Sequence, residues 1–424
     1  MLFLLCVVVH VSCCTKPGGD TPPENNHEGY QKVALSASIE NVQPMTGIVL
    51  WSDNNNTKKQ WVTMEFAYML YSDVCKTKDT YDWTPMENLL NKAASRGHQV
   101  VVRFRYTYPG KTCAVPAYIK ALPEYEATNG KSEGRNTEFP DWRCEELQRF
   151  HMEFHRLFAE RYDSDPRLAF LQTGFGLWAE YHIYDGPMKL GRTFPSYEFQ
   201  TKFIKAMGEW FTHTPWCISI DAADRKYAPF QTHHDLLDIK FGNFDDSFMC
   251  EEHDDYNYNN WKFFGTERYK YAPLGGEFSY YEDYDQKHCL DEKGMYGRIF
   301  ENEVAKYHMT FIIGNDQPGY QKDARIKKAA MSMGYRFTIK DYLVKDGEGA
   351  AVLIANTGVA PIYRDAFVAV AGVRGTYNLR DLMPGEDVWI EIKDASITAS
   401  SLPAIECDHL VKGQQIEFEA DVAI

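Results

Sequence analysis

Two carboxylates stand at the ends of apolar runs of the same form. Glu180 follows Leu168 to Leu177, LAFLQTGFGL, a stretch with two glycines and no charge that reads as a buried strand, and it arrives between Trp178 and Tyr181. Glu277 sits in YAPLGGEFSYY, residues 271 to 281. Either acid alone reads also as a solvated loop residue, but the recurrence of the pattern points to chemistry. In a barrel of parallel strands the C-terminal strand ends face the active-site mouth. Two carboxylates there are what acid-catalysed glycoside cleavage requires, one to protonate the leaving oxygen and one to attack the anomeric carbon or activate a water. Direct attack, with retention, needs the pair about 5 to 5.5 Å apart, and inversion through a water about 6.5 to 9.5 Å. Glu180 and Glu277 are expected to face one another near the shorter separation.

Residues at other strand ends are candidates for sugar contacts. They are Arg103, Arg105 and Tyr106 closing QVVVRFRY, then Trp178, Tyr181 and His182 around Glu180, and Asp221 closing WCISID. Asn243 in DIKFGN, Tyr280 beyond Glu277, and Asn315 and Asp316 in GNDQPG complete the set. A structural role is the alternative for each. No G-x-S-x-G elbow occurs, so Ser/His/Asp hydrolysis has no support. The absence of a CxxC pair removes zinc-knuckle and thioredoxin-type motifs. The acidic run Glu251 to Asp255 with His253 lacks calcium-loop spacing, and His233-His234 reads as the surface start of a helix. No metal and no cofactor is expected.

The elements that must position these residues alternate between strand and helix. Strand-like runs begin near 47, 62, 99, 168, 216, 238, 272 and 308, and the strongest helix, Trp142 to Tyr162 behind the N-cap candidate Asp141, buries Leu147, Phe150, Phe154, Phe158 and Tyr162 on one face. Such alternation implies βα units, a parallel sheet and right-handed crossovers. The fold class is therefore α/β, a (β/α)8 barrel over residues 31–333, with Glu180 after strand four and Glu277 after strand seven. Residues 108–140 have no strong period and read as a long loop excursion. From about Gly334 short alternating segments such as AAVLIANTG and DVWIEI, separated by turn residues, signal an antiparallel β-sandwich over 334–424. Val352, Ile354, Phe367, Val388 and Ile390 should point inward there.

With 45 basic and 60 acidic residues among 424 the formal net charge is -15, which argues against nucleic acid and against anionic membrane surfaces as partners. Tyrosine (27) and tryptophan (9) are abundant enough to supply stacking faces for sugar rings as well as a core. Residues 1–12, MLFLLCVVVHVS, are shorter than the ~20 residues of a membrane-spanning helix. Followed by Cys13-Cys14 and the polar TKPGGDTPPENN, they resemble a bacterial lipoprotein leader, with signal peptide 1–14, tether 15–30 and a lipid on Cys13 or Cys14. That implies an exported lipoprotein of the outer membrane, touching the membrane only through its anchor. Seven cysteines lie beyond the leader, an odd number, and Cys250 with Cys289 is the pair a disulfide could join.

Taken together, GFGLWAEYH around Glu180, GGEF around Glu277 and the junction MGYRFTI before ANTGVAPIYR resemble the clan A glycoside hydrolases. The resemblance is nearer to a family of bacterial, Bacteroidetes-type lipoproteins that pair such a barrel with a C-terminal sandwich. It implies a carbohydrate substrate, Glu180 as acid/base and Glu277 as nucleophile. The acid must carry a proton at neutral pH, which an apolar wall such as Trp178 promotes, and the nucleophile must stay ionised, which Arg103 or Arg105 would favour. These hydrolases commonly carry Asn before the acid/base Glu, and here that residue is Ala179. Either Asn243 or Asn315 takes its place, or the barrel has become a non-catalytic glycan-binding protein.

Overall fold

Eight of the apolar runs become eight parallel strands that close on themselves in the computed structural model, which describes residues 27–424. In chain order they are β1 (Gly47–Trp51), β2 (Met64–Leu70), β3 (Gln99–Arg105), β4 (Leu168–Thr173), β5 (Trp216–Ser219), β6 (Gly242–Phe248), β7 (Leu274–Phe278) and β8 (Phe311–Ile313). Each pairs with its sequence neighbours, and β8 returns to β1 through Phe311–Gly47 and Ile313–Val49. Continuous burial along β1, β3 and β4 follows from the architecture: one face of each strand packs inside the barrel and the other beneath helices. The helix Glu145–Tyr162 covers β3 and β4 with Phe150, Phe154 and Phe158. It begins later than its apolar pattern suggests, since Cys144 is the N-cap and Asp141 instead accepts hydrogen bonds from Arg143. Within the excursion 108–140 the chain forms a short helix, Ala117–Lys120, and a hairpin, Thr128–Ser132 with Arg135–Phe139.

The sixth strand is displaced from its expected place at 238–243. His234–Asp238 is a 3-10 helix. Arg268 donates to the carbonyls of Leu237, Ile239 and Phe241, so these groups are satisfied by a guanidinium and are withdrawn from strand pairing. β6 therefore starts at Gly242 and runs through Asp245 and Asp246, which the sequence pattern assigns to a loop.

Beyond the barrel two sheets form the expected sandwich, with two departures. The larger sheet orders Asp387–Lys393, Gly349–Asn356, Phe337–Lys345, Phe418–Val422 and Leu35–Ala37, and Gln31–Lys32 pairs at its other side with Phe337–Lys345. Residues 31–37 thus belong to this sheet and not to the barrel, and Phe337–Lys345 pairs in parallel with Phe418–Val422 in an otherwise antiparallel arrangement. The smaller sheet orders Val373–Arg374, Ala366–Val370 and Pro403–Cys407. Val352, Ile354 and Ile390 are buried and Val388 is half-buried. Phe367 is turned the other way: Ala366 and Val368 fill the core, and the Phe367 ring packs under the Arg374 guanidinium.

One apolar cluster runs from the barrel interior (Val49, Phe66, Val101, Phe170, Phe311) into the sandwich core (Phe337, Val352, Ile390). Arg364 fastens the junction by donating to the carbonyls of Leu168, Ala169 and His213. Leu168 opens β4, so the sandwich seals the N-terminal end of the barrel and leaves the C-terminal end free. The seven cysteines of the described residues are free thiols, Cys250 and Cys289 included, which corrects the expected pairing. Among the described residues no helix is long and apolar enough to cross a membrane. The leader, with Cys13 and Cys14, lies outside the described residues.

Candidate active site

A cavity of about 1020 Å³ opens at the C-terminal end of the barrel, and both Glu180 and Glu277 line it. Glu277 is the fourth residue of β7, level with Ile313 of β8. Glu180 is delivered by a tight loop after β4. The chain folds back so closely that a side chain on Gly174 would sit 2.1 Å from the Ala179 carbonyl oxygen, and one on Gly176 would sit 1.9 Å from that of His182. This is the reason for the two glycines of TGFGLW. The loop is closed by the Gly176 amide donating to Glu180 O (2.8 Å) and the Leu177 amide to His182 O (3.0 Å). Trp178 (φ 54°) and Ala179 (φ 57°) both adopt the left-handed region, a strained conformation costing on the order of 1 kcal/mol or more per residue that concentrates at functional sites.

Arg103 holds this loop to the barrel. Wholly buried inside β3, it donates through Nη1 to Asp246 Oδ2 (2.6 Å) and to the Trp178 carbonyl (3.3 Å), and through Nε and Nη2 to Gln172 Oε1 (3.0 and 2.6 Å). Its guanidinium lies 4.2 Å from the Phe244 ring centroid. The arginine expected to serve Glu277 is thus ion-paired with Asp246 instead. Burial, and then the Asp246 charge, push the Glu277 carboxyl well above the ordinary range, with Arg103 opposing.

Glu180 is raised to about 7, chiefly by burial, with His182 pulling it down and Asp246 pushing it up. His182 Nε2 lies 3.1 Å from Glu180 Oε2. Burial favours neutral His182, but Glu180, Asp221 and Asp246 outweigh it and raise the imidazole to about 9. Asp245 is pushed up to about 8 by burial, by Asp221, by Asp246 and by Glu180, against the lowering effect of the Ser247 amide. Burial first, and the neighbouring acids second, thus raise Glu180, Asp245 and Glu277 together.

Of the expected sugar contacts, Trp178, His182, Asp221, Tyr280 and Asn315 line the cavity. Asp221 takes hydrogen bonds from Ser219 and from the Tyr256 hydroxyl (3.1 Å). Asn315 is committed through Oδ1 to the Trp51 amide (3.1 Å) and Asn54 Nδ2 (2.7 Å). Asp316 is absent from the lining and lies 3.4 Å from Asn315 Nδ2. Arg103, an expected sugar contact, is also absent from the lining, held by Gln172 and Asp246, and four more residues stand away from it. Tyr106 lies on the opposite face of β3's continuation from Arg103, stacked on Tyr71 and bonded to His151 beneath the helix Glu145–Tyr162, as a period of two requires. Arg105 stacks over Tyr108 at 4.5 Å and does not line the cavity. Tyr181 is buried against Phe175 and Phe194. Asn243 is buried with Nδ2 near the Ile218 carbonyl, away from the lining.

Asp245, Asp246, Tyr68, Trp51 and Tyr184 line the cavity and were not singled out from the sequence. For the two aspartates the signal was present, since FGNFDD continues the strand past Asn243. Tyr184 stacks on Trp178, with centroids 6.2 Å apart and planes at 15°, and extends an aromatic wall outward from Glu180. Donor atoms of Glu180, His182 and Asp221 lie within 4.8 Å of one another, the grouping nearest to a cation site among the described residues. Glu180 and His182 Nε2 are bonded to each other and Asp221 accepts from the Ser219 and Tyr256 hydroxyls, while His182 Nδ1 has no partner among the described residues.

No protein-family model matches the chain, and no curated protein matches it. Among solved structures it is similar to GH5_18 from Bifidobacterium longum subsp. longum, at 6% identity and a TM-score of 0.42 over 69% of this chain and 79% of that one. It is also similar to the glycoside hydrolase family 30 subfamily 8 xylanase Xyn30A from Clostridium acetobutylicum (9% identity, TM-score 0.36, 89% of this chain and 96% of that one). A third is the tri-modular endo-beta-1,4-glucanase B (Cel5B) from Bacillus halodurans (10% identity, TM-score 0.39, 90% of this chain and 78% of that one).

Proposed function

We propose that the chain is a retaining glycoside hydrolase acting on an oligo- or polysaccharide outside the cytoplasm. The observation that carries this reading is the meeting of Glu180 and Glu277, from the ends of β4 and β7, in one aromatic-lined cavity where Glu180 is raised to about 7. A carboxyl with that value holds a proton for the glycosidic oxygen at neutral pH and takes one back from water in the second half of the reaction. Glu277 then attacks the anomeric carbon. Burial disfavours that carboxylate, so the Glu277 proton must first pass to solvent; Arg103, and the positive charge that grows on the sugar ring as the glycosidic C–O bond breaks, then favour the ionised form. The test is a screen of oligosaccharides against wild type and Glu277→Gln. The wild type should release product with retained anomeric configuration by NMR, and the variant should bind without turnover. Product of inverted configuration would assign Glu277 to activating a water.

One observation favours a second reading, a glycan-binding protein that has lost catalysis. Ala179 occupies the position of the expected Asn, Asn243 is absent from the cavity lining, and the Asn315 amide oxygen is taken by Trp51 and Asn54. Binding by wild type with no product from any oligosaccharide would establish it. We also propose that the protein is an exported lipoprotein, on the strength of residues 1–26. Mass spectrometry of protein expressed with its whole leader should find acyl chains on Cys13 or Cys14, whereas an unmodified N-terminus beyond Cys14 would mean simple secretion.

A further inference from the structure

The cavity has a polarity. Its lining cations Arg135 and Lys226 are exposed, whereas Glu180, Asp245, Asp246 and Glu277 crowd its inner part, where the cations are His182 and Arg103. His182 is paired with Glu180 and Arg103 with Asp246. Asp246 is the fixed member of this group. Its side chain is 6% exposed, one oxygen is anchored 2.6 Å from Arg103 Nη1, and the other, Oδ1, is buried with no hydrogen-bond partner among the described residues. Arg103 cannot turn toward a ligand, because Gln172 and the Trp178 carbonyl hold its remaining donors. An anionic group entering this space would meet a buried carboxylate, with little water to screen the repulsion, while the inner cations are already paired with acids and only the buried Nδ1 of His182 lacks a partner among the described residues.

We propose that Asp246, anchored by Arg103, makes the reacting subsite selective by charge: it accepts a neutral or amine-bearing sugar and rejects uronic acids and sulfated sugars. The inference rests on the hydrolase reading only for calling this subsite the reacting one. A protonated 2-amino group would gain from the same field that excludes a carboxylate, and Asp246 Oδ1 is the acceptor left for it or for a sugar hydroxyl.

Titration calorimetry at low ionic strength tests this with matched monosaccharides: the parent hexose, its 2-amino form and its uronic acid in the gluco, galacto and manno series. In the series that binds, the uronic acid should be weaker than the parent by roughly tenfold or more and the amino sugar at least as tight, with the spread shrinking as salt is raised. Asp246→Asn alone would strand the Arg103 charge, so the companion is Arg103→Gln with Asp246→Asn, checked by circular dichroism. This double variant should bring the uronic acid to within about threefold of the parent, while Asp246→Glu keeps the ranking. A uronic acid binding as tightly as its parent overturns the proposal whatever the variant does, and so does a spread that survives in a folded double variant. The charge ranking without hydrolysis of any oligosaccharide leaves it standing and removes the catalytic reading. No binding in any series overturns the proposal and leaves the catalytic reading to the oligosaccharide screen.

Discussion

The barrel carries a buried arginine at each end, and the two are treated differently. At the N-terminal end Arg364 is surrounded by neutral acceptors, the carbonyls of Leu168, Ala169 and His213 and the Thr214 hydroxyl, inside an apolar junction with the sandwich. Burial lowers its guanidinium to about 10, with Asp163 opposing, and Arg364 in turn helps to hold the His409 imidazole down. At the C-terminal end Arg103 faces Asp246, in a cavity where Glu180, Asp245 and Glu277 are all displaced upward. The first arrangement closes unpaired strand carbonyls and has no chemistry. In the second, a polar network gives up local stability to hold protons where a reaction could use them. Conserving this division is how a barrel keeps stability at one end and function at the other.

Substitutions should separate the two ends, and the largest effect belongs to the catalytic one. Glu277→Gln should lower kcat by about 1,000-fold or more on any substrate the wild type cleaves, the range seen when a nucleophile is removed and binding groups remain. Its melting temperature should stay level or rise, because an upward-shifted buried carboxyl is replaced by a neutral amide of the same shape. A variant that kept its turnover would move the nucleophile elsewhere, and Asp246 would be next in line.

Arg364→Met should do the opposite. Loss of hydrogen bonds to three carbonyls and one hydroxyl at a buried junction should cost about 3 kcal/mol, read as a lower midpoint in urea at unchanged slope, while activity of the remaining folded protein is preserved. A change in KM or kcat would show that the two ends are coupled through β4.

How far each end could be read in the sequence follows from the range of the interactions that fix it. The strands, and the place of Glu180 and Glu277 at the ends of two of them, were legible because a strand buried on both faces needs a contiguous apolar run, and LAFLQTGFGL and YAPLGGEF announce theirs without reference to the rest of the chain. The register of β6 was not, since it depends on Arg268 capping the carbonyls of residues 237–241 from about thirty positions downstream. That one displacement concealed Asp245 and Asp246. Tyr106 and Tyr181 were assigned to the mouth by proximity to it, although alternation along the strand and the tight turn after Gly174 point them into the helix layer and the core. The pairing of residues 35–37 with the final strand is the longest-range strand pairing among the described residues, and no local pattern carries it.

The finest distinction between the two ends is their response to pH, and Asp245 isolates it. Asp245 Oδ1 accepts from the Ser247 amide (3.0 Å) and Asn257 Nδ2 (3.0 Å), bonds that an asparagine oxygen in the same place would keep. The folded protein raises this carboxyl from its ordinary value to about 8. A raised carboxyl binds its proton more tightly folded than unfolded, so stability falls as pH rises from the ordinary aspartate range through about 8 and is level outside that window. Asp245→Asn removes the titration. Relative to wild type the variant should therefore gain about 1 to 2 kcal/mol more at pH 9 than at pH 5, the equivalent of one pKa unit or slightly more after relaxation of the charged site. Arg364→Met, by contrast, should destabilise at both pH values, somewhat less at pH 5, because Arg364 helps to hold the His409 imidazole below its ordinary value and its loss relieves that repulsion. Equal effects of Asp245→Asn at pH 5 and pH 9 would mean that the carboxyl is already ionised in the folded state, and that the crowding of acids around Glu180 is relieved by something other than protonation.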